Sequence, residues 1–409
     1  MNRYLERFFD NWYCAKYRRW KKHQGKQERG NILVICRRPL GDTLLCTPFF
    51  RELKRNRPDV DIDVICSPQN YNLLEKSPYI HQFFLFDDRV KKHYYIVNLK
   101  RCWKLAIETL QSRHYREAYV PSTYMSSMID GWLAYFSGAE HRTAFSETMN
   151  PSAHRQYGGH YNRLFTKILD VEEPRHDVVC NLDILRSCGM EVQQDDCEMW
   201  IAEEDRAVVE KLWRAEQIPE HTVKVLVNLS TSITSKDWPV ENYIAVCQRL
   251  QVRYPVTWIL IGAGARAAEY SKRFCQAIPA AHDFTNQTSI RQTMDIIERS
   301  DIYLGGDTGP MHMAAAAGLK GVAIYKTAKN CTDMVYNFPV RLYPWKAGIE
   351  ILQPEKAIPG CEKNCEGKGA HCIKLNTVEQ VYEAMDDVMQ QWNGSTSDEC
   401  RGAERAYDA

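Results

Sequence analysis

At 409 residues the chain is too long for one ordinary core and suits two domains of about 150–200 residues each. Hydrophobic residues make up 44%, charged residues 26% and aromatics 11%, the balance of a globular protein whose disorder is confined to its ends. A formal net charge of +1 removes the global basic excess that nucleic-acid binding normally shows, so any basic surface must be local.

Residues 1–29 hold nine Lys or Arg against three acidic residues, and Leu5, Phe8, Phe9, Trp12 and Trp20 recur at near-helical spacing. This predicts a basic, aromatic amphipathic helix. Such a helix can lie on an anionic membrane surface or pack on protein, its own domain or a partner subunit, and the sequence leaves both readings open. No run of 18 apolar residues occurs, so no bilayer-spanning helix is expected. The 15 cysteines are odd in number, scattered, and follow no secretory signal, so a reducing, cytoplasmic compartment is expected.

After Gly30, Asn31–Cys36 (NILVIC) reads as a parallel strand buried on both faces, followed by a turn and a helical stretch to about Arg57. Asp61–Cys66, Gln82–Phe86 and Arg116–Val120 continue the strand pattern, with helices expected at Lys100–Ser112 and Tyr124–Phe136. HDVVCNLDILRSCG (176–189) reads as the end of this domain, its helix closing on Gly189. A second α/β series follows: strands at Lys224–Leu229, Val256–Ile261, Ile302–Leu304 and Val322–Ile324, with a helix from about Pro239 to Arg253. Asn376–Trp392 reads as a final helix, and the polar tail from Asn393 is expected to be disordered. No internal repeat of 20–50 residues is visible.

Arg37–Pro48 (RRPLGDTLLCTP) falls where the first strand hands over to its helix, the position at which open α/β sheets bind ligands. Gly41 permits a turn there, and Asp42 beside a helix N-terminus stays ionised; it can accept a hydroxyl proton or serve as an N-cap. Gly305–His312 (GGDTGPMH) follows a strand and opens a small-residue helix, so its glycines, hydroxyl and N–H groups form a pyrophosphate cradle, with His312 donating to phosphate or capping the helix. Asn228–Pro239 (NLSTSITSKDWP) joins another strand to a helix, and its Thr231, Ser232 and Lys236 can meet the growing charge of a departing diphosphate.

Gly262–Ala267 (GAGARA) fits the dinucleotide pattern G-x-G-x-x-A, with Asp283 about 20 residues on. It motivates a nicotinamide-dependent oxidoreductase as the alternative enzyme, though it follows the second strand of its half and not the first. Cys361, Cys365, His371 and Cys372 form a C-x3-C-x5-H-C cluster of soft ligands whose spacing fits no standard metal pattern.

In order, NILVICRRPLGDTLLCTPFFRELKRNRPDVDIDVI, HDVVCNLDILRSCG, KDWPVENY and GGDTGPMHMAAAAG resemble glycosyltransferase family 9, the bacterial lipopolysaccharide heptosyltransferases, over about residues 31–390. The resemblance implies a GT-B fold: two Rossmann-like α/β domains facing across a cleft, acceptor on the first and nucleotide sugar on the second. It implies inverting transfer of heptose from ADP-heptose to the lipopolysaccharide inner core, with no cofactor required. Asp42 then matches the catalytic base, Lys236 acts at the leaving group, and Thr231, Ser232, Asp307, Thr308, Gly309 and His312 bind the donor. Glu269 stands for the acid that holds the ribose, and Arg37, Arg38 and Gly41 face the acceptor. Expected boundaries are a basic extension over 1–30, an acceptor domain over 31–205, a nucleotide-sugar domain over 206–375, a helix over 376–392 and a tail over 393–409. The extension, unusual for that family, is expected to reach the anionic inner membrane. An inactive scaffold of the same fold on the membrane is the non-enzyme alternative.

Overall fold

A computed structural model describes residues 3–22, 30–90, 92–123, 127–331, 339–362 and 371–395. The chain divides into two units, Met1–Trp200 and Ile201–Ala409.

The first unit is built on strands β1 (Asn31–Cys36), β2 (Ile62–Cys66), β3 (Gln82–Leu85), β4 (Tyr115–Val120), β5 (His141–Phe145) and β6 (Lys167–Leu169). They pair in the order β3-β2-β1-β4-β5-β6, parallel throughout, with Val34 opposite Val64 on one side and Tyr119 on the other. Helices cover a parallel sheet on both faces, which is why the central strands read as unbroken apolar runs. Asp63 is the exception, buried within β2 and held by Arg113 Nε at 2.8 Å and the Tyr115 hydroxyl at 2.8 Å. The helix Tyr94–Glu108 starts six residues earlier than its sequence pattern suggests, and Met128–Phe136 begins at Met128.

The helix Arg3–Lys22 belongs to this unit. One stripe, Asp10, Tyr13 and Tyr17, is buried, and both tyrosines join the core that contains Trp132, Phe136 and Leu99. Asp10 accepts from Trp132 Nε1 at 2.6 Å, and burial raises its pKa against that hydrogen bond. The opposite stripe leaves Phe8 62% and Trp12 48% exposed, with Lys16 and Arg19 beside them. Of the two readings of the basic segment, packing on its own domain accounts for one face and leaves the other unassigned. Residues 23–29 and the side chains of Leu5 and Trp20 lie outside what is described.

The second unit repeats the arrangement with β7 (Val223–Asn228), β8 (Val256–Ile261), β9 (His282–Asp283), β10 (Ile302–Gly306), β11 (Lys320–Ile324) and β12 (Ile349–Leu352). The order β12-β11-β10-β7-β8-β9 is again parallel and is the same doubly wound topology. Its core gathers Trp238, Tyr243, Trp258 and Phe274 with Met385 and Met389 of the helix Val378–Ser395. That helix runs to Ser395, into the stretch expected to be tail. It is fixed to the helix Val240–Arg253 by Arg253–Asp386 at 2.7 Å and Arg249–Glu379 at 2.7 Å.

In each sheet the strand order reverses at one place, between β1 and β4 in the first unit and between β7 and β10 in the second. At such a reversal the loops leaving adjacent strand ends diverge to opposite faces and open a crevice. The segments after β1, β7 and β10 are those singled out by their residues as binding loops.

Candidate active site

In the first unit, Pro39 caps a five-residue helix, Leu40–Leu44, which places Asp42 in its first turn. Asp42 is therefore helical and not an N-cap, and Gly41 is buried with no positive φ, so the turn expected of it does not occur. The loop is locked from below. Asn70 Nδ2 donates to the Arg38 carbonyl at 2.6 Å and to the Thr43 hydroxyl at 2.7 Å.

Arg38 is 6% exposed and engaged inside the unit through both terminal nitrogens: Nη2 meets Asp177 at 2.6 Å, and Nη1 donates to the Pro121 carbonyl at 2.8 Å and to Asn181 Oδ1 at 3.0 Å. Burial opposes its charge, but Asp177 and then Asp42 more than offset this, and the guanidinium pKa is raised. Arg37 pairs with Asp130 at 2.5 Å and Asp88 at 2.8 Å, and lies over the Phe86 ring. Both arginines are engaged within the unit, Arg37 by buried Asp130 and half-buried Asp88 and Arg38 by buried Asp177, and Arg38 ties the Asp42 loop to the helix Asp177–Ser187.

The functional residues missed in the sequence are thus Asp177 and Asn181, one turn apart at the start of HDVVCNLDILRSCG; two buried polar residues at that spacing were the available sign. Arg38→Ala removes the guanidinium from the buried pair with Asp177, and removal of one member of a buried pair costs about 3–5 kcal/mol. A clear fall in the urea midpoint is the expected result, and an unchanged midpoint rules out the anchoring role.

In the second unit the loops after β7 and β10 come together. Lys236 Nζ meets Asp307 Oδ2 at 2.6 Å, with the side chains 12% and 11% exposed. The Thr308 hydroxyl donates to Asn228 Oδ1 at 3.4 Å. Gly305 and Gly306 prove to be the last residues of β10, where the approach is close: a Cβ on Gly305 would stand 2.4 Å from the Tyr303 hydroxyl, so something would have to shift, and one on Gly306 would stand 3.1 Å from the Thr231 side chain, a tight contact. Thr308 then caps the helix Gly309–Ala316, whose first turn includes Pro310 and whose His312 is 4% exposed.

The β7 loop is held in shape by Asp237, whose Oδ1 accepts the Thr231 N–H at 2.7 Å. Burial pushes the Asp237 carboxyl up, while that N–H and Arg266 pull it down. Arg266 reaches Asp237 at 2.8 Å and the Thr234 hydroxyl at 2.9 Å, and it donates to the Thr231 carbonyl. So the arginine of GAGARA braces the β7 loop. Asp283, the acid that pattern needs for a ribose, accepts the Thr285 N–H at 2.9 Å within its own turn. Glu269 lies exposed one turn along from Arg266. Cys361, His371 and Cys372 converge elsewhere in this unit, while Cys365 lies outside the described residues.

Two doubly wound units with ligand loops at their strand reversals define the GT-B class of glycosyltransferase. The chain belongs to glycosyltransferase family 9 (heptosyltransferase), whose model matches residues 107–368. It is 22% identical over 312 residues to lipopolysaccharide heptosyltransferase 3 of Escherichia coli strain K12, covering 76% of this chain and 83% of that one. Its fold is similar to a family 9 glycosyltransferase of Veillonella parvula (TM-score 0.70, 17% identity, covering 88% of this chain and 97% of that one). It is also similar to the ADP-heptose lipopolysaccharide heptosyltransferase II of E. coli (TM-score 0.65, 17% identity, covering 89% and 99%). Membership of the family makes the chain a glycosyltransferase and decides against the nicotinamide reading of GAGARA.

Proposed function

We propose that this enzyme is an inverting heptosyltransferase that takes ADP-heptose as donor and the lipopolysaccharide inner core, lipid A-Kdo or a heptosylated form of it, as acceptor. The observation that carries the reading is the Lys236–Asp307 pair, which joins a hydroxyl-rich loop to a glycine- and hydroxyl-bearing one at one strand reversal. There Thr231, Ser232, Thr308 and the N–H groups at Gly309 and Met311 serve the donor diphosphate, with Lys236 meeting the charge that grows as the glycosidic bond breaks. His312 supports this turn from within the helix, and Glu269 is the proposed ribose ligand. Asp42 takes the acceptor proton as the hydroxyl attacks the anomeric carbon, so one displacement inverts the centre. The names of the similar proteins supply the sugar and the acceptor class. Mass spectrometry of products formed from ADP-heptose and purified core acceptors tests this: a gain of one heptose with release of ADP is expected. Tight binding of NAD with neither binding nor turnover of ADP-heptose would sink it.

The enzyme is further proposed to work on the cytoplasmic face of the inner membrane. Among the described residues no helix is long and apolar enough to cross a membrane, so contact would be peripheral. The support is the outer stripe of the helix Arg3–Lys22, where exposed Phe8 and Trp12 accompany Lys16, Arg18 and Arg19. Cations near an anionic surface contribute about 1 kcal/mol each and lose it with added salt. Because Tyr13, Tyr17 and Asp10 are part of the core, deleting the helix would damage the fold. The double variant Phe8→Ser, Trp12→Ser leaves that stripe intact and is expected to sediment less with anionic vesicles at unchanged thermal stability. Sedimentation equal to the parent's would remove the membrane role.

A further inference from the structure

Near its end the second unit brings together two sulfurs and an imidazole for which the transfer reaction has no use. Cys361, His371 and Cys372 each present one ligand atom, all within 4.8 Å of one another. Cys361 Sγ lies 3.9 Å from both ring nitrogens of His371, and His371 Nδ1 lies 3.4 Å from Cys372 Sγ. Sulfur and nitrogen bound tetrahedrally at about 2.3 and 2.0 Å stand roughly 3.5–3.8 Å apart. The sulfur–nitrogen separations of 3.4 and 3.9 Å lie on either side of that range, close enough for small side-chain adjustments to seat one ion among the three groups. A thiol is a weak donor and acceptor, so hydrogen bonding alone contributes little to holding them together.

The local structure makes the convergence purposeful. Cys361 ends a turn in which its N–H donates to the Ile358 carbonyl at 2.9 Å, and Cys372 opens a single four-residue 3-10 turn, Cys372–Leu375. A turn of that length has little stability of its own. Cys372 is nonetheless 3% exposed and Ile373 fully buried in the core of the unit.

The turn leads directly to Asn376, which acts as a strut. Its Nδ2 donates to the Tyr325 carbonyl at 3.0 Å, and its own carbonyl accepts Trp238 Nε1 at 2.9 Å. Trp238 follows Asp237, the residue that shapes the phosphate loop. Whatever fastens Cys372 to Cys361 thus fastens the support beneath Lys236.

We propose that Cys361, His371 and Cys372 bind a soft divalent cation, zinc or ferrous iron, which cross-links the end of the second unit to the strut under its phosphate loop. Thiolate and imidazole select such ions over magnesium or calcium, which take oxygen ligands. Cys361 Sγ stands equally far from the two ring nitrogens of His371, and Nδ1, which lies near Cys372 Sγ, also accepts the Cys372 N–H at 3.0 Å. Binding ionises the two thiols and releases two protons, so occupancy falls as the pH is lowered. The ion takes no part in bond making; it holds the chain.

The test uses the full chain, purified without a histidine tag from cells grown in medium supplemented with either zinc or iron. Elemental analysis is expected to find one equivalent of metal per chain, and the two media identify which. Cys361→Ser and Cys372→Ser are expected to reduce it to background, as is His371→Ala, whereas His371→Cys keeps it by offering a third thiolate. Cobalt substitution of the parent is expected to give the thiolate-to-cobalt charge-transfer absorption, and a chelator is expected to lower the melting temperature of the parent but not of the serine variants. Should the serine variants fail to fold, the metal content of the parent and of His371→Cys still decides. Parent protein free of metal, a disulfide in place of the two thiols, or metal retained in the Cys361→Ser, Cys372→Ser double variant would overturn the site. None of these readouts depends on the sugar or the acceptor, so the metal site and the proposed reaction fail separately.

Discussion

Asp42→Ala is expected to lower the rate of transfer by about 10²–10⁴-fold, the usual cost of losing a general base, with ADP-heptose affinity nearly unchanged. The carboxylate stands in the first turn of a helix five residues long, on a loop pinned by Asn70, Arg38 and Asp177, and it is 8% exposed. Such a group is held in place at no cost in reorganisation when an acceptor hydroxyl arrives. The loops assigned to the diphosphate belong to the other unit, so donor binding has no reason to follow the loss. Asp42→Asn is the companion variant: it keeps the size and shape of the side chain but cannot take a proton, and like Asp42→Ala it removes the charge that supports Arg38. Both variants should lose kcat alike, with the urea midpoint of Asp42→Asn closer to the parent's than that of Asp42→Ala. Turnover like the parent's would end the role of Asp42 as base. A rise confined to the acceptor KM would make it a binding group.

What could be read in the sequence divides along a physical line. Central strands such as β1 and β8 are buried on both faces and must be apolar along their whole length, so NILVIC and VTWILI announce themselves. The strands absent from the sequence reading, β5, β6, β9 and β12, are short or polar and lie at or beside sheet edges; His282–Asp283 has two residues and no pattern to find. The loops after β7 and β10 stand out in the sequence because their marks are local: hydroxyls and a lysine after one strand, and glycines that close the other. The ion pair of Arg38 was not legible for the opposite reason: its partner Asp177 is 139 residues away, and a buried ion pair leaves no local trace. GAGARA shows the same limit, since a pattern match cannot say that its arginine faces Asp237 and not a nucleotide. The two units share one topology, yet no repeat shows in the residues, because a doubly wound sheet constrains burial and strand order and not identity.

Lys236→Ala is expected to weaken ADP-heptose binding and slow turnover together, because a contact to the diphosphate exists in the ground state and strengthens as the leaving group gains charge. Truncating one member of a largely desolvated charge pair costs about 2–5 kcal/mol, or roughly 30-fold to several thousand-fold in kcat/KM. The value should exceed that of a simple phosphate contact, since the variant leaves Asp307 as a bare carboxylate beside the anion. This makes the sign of a double variant informative. Asp307→Asn alone removes a charge but leaves Lys236 in place, and a smaller loss is expected. In the Lys236→Ala background the same change removes the repulsion, so Lys236→Ala, Asp307→Asn should bind the donor better than Lys236→Ala does, a non-additivity of the kind neighbouring charges produce. With the two side chains 12% and 11% exposed, screening is weak and the effect should persist at moderate salt. Losses that simply multiply would show that the two residues act independently on the donor, and donor affinity and kcat unchanged in Lys236→Ala would move the diphosphate away from this loop.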